Sequence, residues 1–211
     1  EYDKALEYMN KGLDIRINKL GKDHTDVASS YNNIAIVYDS QNKYDEALEY
    51  YNKSLDIRIN KLGKDHTDVA TSYGNIAIVY AKQNKYDEAL EYMNKSLDIY
   101  INKLGKDHTN VATSYNNIAN VYESQNKYDE ALEYYNKSLD IYINKLGKDH
   151  TDVAMSYYNI GNLYGNQSKY KEALEYYNKA LPIRMNKLGK DHRKTKKTLR
   201  QIQRCKNQLG M

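Results

Sequence analysis

Five histidines, His24, His66, His108, His150 and His192, recur at a fixed step of 42 residues. Imidazole is a common zinc ligand, so such a series raises metal binding first. The spacing argues against it. Packed helices lie about 8–10 Å apart and Zn–N bonds are about 2.0–2.1 Å, so histidines one step apart cannot share an ion. Cys205, the single cysteine, does not match their spacing. Each histidine closes the word Lys-Leu-Gly-Lys-Asp-His, which starts at Lys19, Lys61, Lys103, Lys145 and Lys187. That word lacks the Gly and Lys-Ser/Thr spacing of a phosphate loop, and a helix-capping role explains the histidines better. The triplets Asn52-Lys53-Ser54, Asn94-Lys95-Ser96 and Asn136-Lys137-Ser138 spell glycosylation acceptors but fall mid-helix, with no secretion-signal pattern in the chain. No Ser/His/Asp or Cys/His set stands apart from the repeat. The sequence therefore points to no enzyme, no metal, no cofactor and no small-molecule substrate.

Asparagine offers a different chemistry. Asn33, Asn75, Asn117 and Asn159 keep the same 42-residue step. A carboxamide is both donor and acceptor, so a row of them can pair with the backbone of an extended peptide whatever its side chains. The alternative is that each Asn links neighbouring helices. Flanking positions would add selectivity: Asn32, Gly74, Asn116 and Tyr158 on one side, Ile36, Ile78, Asn120 and Asn162 on the other.

The elements that must carry this row are legible from periodicity. Residues 43–84 and 85–126 differ at seven of 42 positions, so the chain is a tandem array. It begins in the middle of a repeat, as a piece of something longer would. From Val27 the apolar residues Val27, Ala28, Tyr31, Ile34, Ala35 and Tyr38 form one face of a helix. Tyr44, Ala47, Leu48, Tyr51, Leu55, Ile59 and Leu62 form the face of a second. Gln41-Asn42-Lys43 is a short polar break between them. Gly63 is expected to stop the second helix in a left-handed conformation, and Asp65 or Thr67 to cap the next. Neither helix hides its stripe alone, so the repeats must stack. Four of the seven differences, Gly74/Asn116, Ile78/Asn120, Ala81/Glu123 and Lys82/Ser124, fall on a single stripe of the first helix that avoids the core. A fixed scaffold with one variable face is the pattern of a binding groove, though surface drift would also produce it. Pro182 lies inside the last second helix, where a bend is expected.

Composition agrees. The 211 residues are 28% charged and 40% hydrophobic, and hold 24 Tyr with no Phe and no Trp. No run of about 18 apolar residues could span a membrane, and the lone cysteine suits a reducing, cytoplasmic setting. After Asp191 the chain has seven Lys+Arg and no acid, which leaves 25 Lys+Arg against 28 Asp+Glu in residues 1–192. Leu199, Ile202, Cys205 and Leu209 continue a helical stripe through this basic segment. It reads as a capping helix; the alternative is a helix that touches nucleic acid or an anionic surface.

These residues resemble the tetratricopeptide repeat. Its first-helix motif appears here as Tyr31, Ile34, Ala35, Tyr38, and again as Tyr73, Ile76, Ala77, Tyr80. It recurs as Tyr115, Ile118, Ala119, Tyr122 and as Tyr157, Ile160, Gly161, Tyr164. The second-helix motif appears as Ala47 with Tyr51, Ala89 with Met93, Ala131 with Tyr135 and Ala173 with Tyr177. The 42-residue length and the word Leu-Gly-x-Asp-His-x-Asp-Val-Ala are similar to the repeats of kinesin light chains, with Thr67, Thr109 and Thr151 where those usually carry Pro. The resemblance implies an all-α, right-handed superhelical solenoid with the first helices lining an inner groove. Its expected parts are an orphan second helix at 2–20, helix pairs at 25–62, 67–104, 109–146 and 151–188, and a basic capping helix at 193–209. It further implies a non-catalytic scaffold for a partner protein, held as an extended peptide by an asparagine ladder of the kind found in kinesin-light-chain-type repeats. The first helices offer Asp26, Asp39, Asp68, Glu123 and Asp152 against Lys82, so a neutral or basic segment is expected. Self-association by end-to-end stacking or swapping is the other reading, because the orphan first helix is expected to expose Leu6, Met9 and Leu13.

Overall fold

The computed structural model describes residues 2–211, and all regular structure among them is helical. We number the helices α1 (Tyr2–Leu20), α2 (Thr25–Ser40), α3 (Tyr44–Leu62), α4 (Thr67–Lys82), α5 (Tyr86–Leu104), α6 (Thr109–Ser124), α7 (Tyr128–Leu146), α8 (Thr151–Asn166), α9 (Tyr170–Leu188) and α10 (Arg193–Leu209). They fall into two compact units, one ending at Lys106 and one starting at Asp107. The first unit holds α1–α5 and the second α6–α10. We call α2, α4, α6, α8 and α10 the A helices and the others B helices.

Each A helix starts on a histidine. In α4 the N-cap is His66, in extended conformation, and its Nδ1 accepts a hydrogen bond from the Asp68 backbone N–H at 3.1 Å. His24, His108, His150 and His192 do the same for their helices. The capping role expected of the histidines is thus met, and the acceptors expected at Asp65 or Thr67 are not the cap. The imidazole fills that role and leaves Asp68 free to favour the positive helix end.

The A–B turn places Asn42, Asn84 and Asn126 at φ near 60°. Asn tolerates this left-handed conformation better than other residues with a Cβ, and the Tyr44 hydroxyl donates to Asn42 Oδ1 at 2.9 Å. In the last A–B turn Ser168 takes the same conformation, with Tyr170 Oη 3.5 Å from its Oγ. Each complete B helix ends on a glycine; Gly63 has φ 88° and ψ 152°. That is a positive-φ extended conformation, not the left-handed helical one expected, because the chain leaves α3 straight into the Lys-Asp-His loop. Only glycine enters this region without strain.

The core of each pair forms as the stripes require. Val27, Ala28, Ile34 and Ala35 are fully buried, as are Val153, Ala154 and Ile160 in the second unit. Tyr50 of α3 packs against Tyr31 and Tyr38 of α2, with ring centres 5.9 and 5.4 Å away. The same trio recurs in the three following pairs. B helices also tie to A helices by polar contacts: Arg58 donates to Ser72 Oγ at 2.8 Å and to the Asp68 carbonyl at 3.1 Å. Helix α9 runs unbroken through Pro182.

Candidate peptide-binding face

The asparagine series lies on the A helices. In the first unit, Asn33 of α2 is exposed and Asn75 of α4 is half-buried; in the second, Asn117 of α6 and Asn159 of α8 are half-buried. Two of the four are engaged. Asn75 Nδ2 donates to Asn32 Oδ1 at 2.9 Å, and Asn159 Nδ2 donates to Asn116 Oδ1 at the same distance. One N–H and the carbonyl oxygen of Asn75 and of Asn159 stay unspent. Asn33 and Asn117 make no side-chain hydrogen bond among the described residues.

A second tier of contacts joins the same helices at their C-terminal ends. Lys82 Nζ of α4 lies 2.6 Å from Asp39 Oδ2 of α2, and Asn166 Nδ2 of α8 donates to Glu123 Oε1 of α6 at 2.8 Å. In both units the first A helix supplies acceptors and the next supplies donors, always 43 residues on.

Flanking positions divide by exposure. Ile36 and Ile78 stand 45% and 36% exposed, while Asn116 and Tyr158 are buried at 7% and 5%. Asn120 is exposed and Asn162 half-buried. Both are held by tyrosines from the following B helix: Tyr135 to Asn120 at 2.5 Å and Tyr177 to Asn162 at 2.8 Å.

The Tyr135 hydroxyl also lies 2.7 Å from Glu123 Oε2. A hydroxyl has one hydrogen and here faces two acceptors, and a proton on Glu123 completes the set. Burial holds the Glu123 carboxyl above its ordinary range, against the lowering effect of the Tyr135 and Asn166 bonds. Burial, reinforced by Glu123, in turn pushes the Tyr135 phenol upward.

Helix α10 extends this face and brings to it basic residues that α6 and α8 lack. The 42-residue step from Asn159 lands on Gln201, another carboxamide, while the steps from Tyr158 and Asn162 land on Arg200 and Arg204. Gln201 and Arg204, with Lys197, line a pocket of about 250 Å³ in the second unit that also takes in Tyr158, Asn162 and Glu123. That arithmetic was available in the sequence; the change from a Tyr- and Ile-rich stripe to a basic one hid it. The second unit's face therefore ends in positive charge.

Among the described residues no cluster of three or more His, Cys, Asp and Glu is placed to hold a metal ion, and no helix is long and apolar enough to cross a membrane.

Comparison with known proteins agrees with the repeat geometry. The tetratricopeptide repeat profile matches residues 1–60, 43–102, 68–144, 110–186 and 152–211. No curated protein matches the chain by sequence. Among solved structures, BtubC (BKLC) from P. vanneervenii is similar at 20% identity and a TM-score of 0.83, over 100% of this chain and 85% of that one. A kinesin light chain-like protein of Podosopora anserina with nearly identical TPR-like repeats is similar at 20% identity and a TM-score of 0.72, over 89% of each chain. The apo form of RapI gives 18% identity and a TM-score of 0.76, over 100% of this chain and 77% of that one. At such identities the likeness is one of fold. Repeats of this kind generally mediate protein–protein interaction and are typically non-catalytic. With profile matches from end to end and ten helices in A–B alternation, the chain belongs to the tetratricopeptide repeat family.

Proposed function

We propose that this chain is a non-catalytic scaffold whose A-helix faces hold an extended peptide segment of a partner protein. The observation that carries the reading is the unspent hydrogen-bonding capacity of the asparagine row. Asn33 and Asn117 are unengaged, and Asn75 and Asn159 are each oriented by one bond while keeping a free carbonyl oxygen. Adjacent packed helices lie about 8–10 Å apart and an extended chain advances about 3.3 Å per residue. Within each unit the two carboxamides would then meet the peptide about three residues apart, which suits backbone recognition with side-chain selectivity from the neighbours. Ile36 and Ile78 offer apolar contact in the first unit. Asp26 and Asp68 favour a neutral or basic segment there, whereas Asp39 is already paired with Lys82.

The test is selection of extended peptides from a displayed library on the intact chain, followed by affinity measurement. Asn75→Ala combined with Asn117→Ala is expected to weaken binding at least tenfold with little change in melting temperature. Asn32→Ala, which removes only an interhelix partner, should leave binding within about threefold, as expected for loss of one neutral hydrogen bond's orienting effect. Equal binding by the double variant and the parent would refute the ladder.

Self-association is a second reading, supported by α1, though not through the residues expected: Leu13 is buried with Val27, Ala28 and Ile34, and Leu6 and Met9 pack against that cluster. Ile15 of α1 is 55% exposed, whereas Ile57 at the same position of α3 is 9% exposed. Helix α10 is a poor complement, since Gln203 and Lys206 stand where Ala35 and Tyr38 stand in α2. A mass that rises with concentration in sedimentation and is lost in Ile15→Lys would support the reading; a strict monomer would remove it.

A further inference from the structure

The pocket of the second unit is rich in donors that the chain does not use. Tyr158 is 5% exposed, and its hydroxyl is buried with no hydrogen-bond partner. A buried hydroxyl left this way costs about 1–3 kcal/mol, so native structures normally give it a partner. Beside it, Asn162 has its Oδ1 occupied by the Tyr177 hydroxyl, which leaves its two N–H groups as the free edge. Across from α8, α10 contributes Lys197, Gln201 and Arg204. None of the three has a side-chain hydrogen bond or an ion pair among the described residues, and Lys197 Nζ sits 5.3 Å from the centre of the Tyr158 ring. The other face of positive charge on that ring is Arg184, whose guanidinium lies 4.3 Å from the ring centre. Arg184 is held by Thr198 and the Lys194 carbonyl, without a carboxylate.

The pocket contains one acid, Glu123. Its two oxygens are already taken, one by Asn166 at 2.8 Å and one by Tyr135 at 2.7 Å. No acid follows Asp191 in the sequence to neutralise α10. Apart from this engaged acid, the side chains of α8 and α10 bring N–H and O–H donors and two cations with no carboxylate paired to them.

We propose that this pocket binds a phosphate-class oxyanion, with Lys197 and Arg204 as the charge, and Tyr158, Asn162 and Gln201 as neutral donors. A tetrahedral dianion has four oxygens to meet donors arriving from α8 and α10 together, and matches two cations. A planar carboxylate engages donors chiefly through two oxygens in one plane and carries half the charge. The group comes either from free phosphate or from a phosphorylated side chain of a bound segment; only the second source rests on the peptide-binding reading above.

The experiment is a titration of the full chain with inorganic phosphate at constant ionic strength, read by the side-chain amide signals of Asn162 and Gln201 in nitrogen-edited NMR. Saturable shifts are expected, with Arg204→Gln weakening affinity at least tenfold, the usual scale of a lost charge-assisted contact. Tyr158→Phe removes a hydroxyl that nothing in the chain satisfies, so it should fold at least as stably as the parent and still weaken phosphate several-fold. Acetate at equal ionic strength should shift these signals without saturating. Capped O-phosphoserine separates the sources: tighter binding than inorganic phosphate assigns the pocket to a side-chain phosphate, weaker binding assigns it to the free anion. Phosphate shifts that never saturate, shifts indifferent to Arg204→Gln and Tyr158→Phe, or acetate binding as tightly as phosphate would each overturn the proposal. None of these results depends on the Asn75→Ala/Asn117→Ala outcome, so the pocket and the ladder stand or fall separately.

Discussion

Gly161 occupies the place held by Ala35, Ala77 and Ala119 in the other pairs, and replacing it with alanine sets two known effects against each other. A Cβ at 161 would stand 2.7 Å from Cε1 and 2.8 Å from Cδ1 of Tyr177. Carbon atoms in contact prefer about 3.5–4.0 Å, so one of the two must give. Tyr177 is poorly placed to do so: it is 2% exposed, its hydroxyl is bonded to Asn162, and its ring packs 5.4 Å from that of Tyr158. Ala119 coexists with Tyr135 because that hydroxyl is drawn to Asn120 and Glu123. Gly165 stands where Glu123 stands, and a Cβ there would lie 3.6 Å from the Tyr177 hydroxyl, so Tyr177 leans across both glycines. Overpacking costs about 1–3 kcal/mol, while the alanine gains about 0.8–1 kcal/mol of helix propensity. Gly161→Ala should therefore lose about 0–2 kcal/mol in urea denaturation followed by circular dichroism, with faster amide exchange in α8 and α9. Gly12→Ala is the control, since a Cβ at Gly12 meets nothing within 4 Å; it should show the propensity gain alone. If Gly161→Ala stabilises as much as Gly12→Ala, the ring yields freely and the packing argument is wrong.

Three further predictions follow from the caps, the turn and the buried acid. His66→Ala should cost about 1 kcal/mol in thermal melts, whereas His66→Asn, which supplies another acceptor, should recover most of it; equal losses would mean that Nδ1 does not cap. Ser168→Asn should gain about 0.5–1 kcal/mol, because Asn tolerates the left-handed conformation and restores the acceptor that Tyr86 finds in Asn84 at 2.8 Å; no gain in urea midpoint would count against this. Burial raises the Glu123 carboxyl above its unfolded value, so the folded chain holds more protons than the unfolded one from about pH 4.3 upward. Stability is then lost as pH rises through that window, and Glu123→Gln, compared with the parent at pH 4 and pH 7, should be relatively more stable at pH 7; the opposite sign would show the carboxylate to be the preferred form.

The helices were legible because each stripe is repeated with its stops. Val27, Ala28, Ile34 and Ala35 announce a buried face by spacing alone, and Gly63 announces an end whatever its torsion angles. What was not legible depends on distances between helices. Asp65, His66 and Thr67 all carry an acceptor near the start of α4, and only the extended backbone at His66 turns its Nδ1 toward the Asp68 N–H. Asn32 and Asn75 are far apart in sequence, and their bond requires that α2 and α4 lie side by side in a particular register. Tyr158 reads as an exposed flank because Asn32 and Gly74 share its position; α10, with its own basic pattern, is what buries it.

The variable stripe acquires a second meaning from these contacts. Sequence alone presents Gly74/Asn116, Ala81/Glu123 and Lys82/Ser124 as differences between two repeats that a ligand would select. In the folded chain the acceptors Asn32 and Asp39 on α2 meet the donors Asn75 and Lys82 on α4, and the acceptors Asn116 and Glu123 on α6 meet the donors Asn159 and Asn166 on α8. Each unit thus sets an acceptor-bearing A helix before a donor-bearing one. An array built only from α2-type helices would set Asp39-type carboxylates against serine, and one built only from α4-type helices would set Lys82-type ammonium groups against alanine. Each rim pair is worth only about 0–1 kcal/mol, too little to decide whether the helices stack. It is enough to favour one order of helices within a unit, so part of the stripe serves as an internal register, while Asn33 and Asn117 stay unengaged and Ile36 and Ile78 stay exposed.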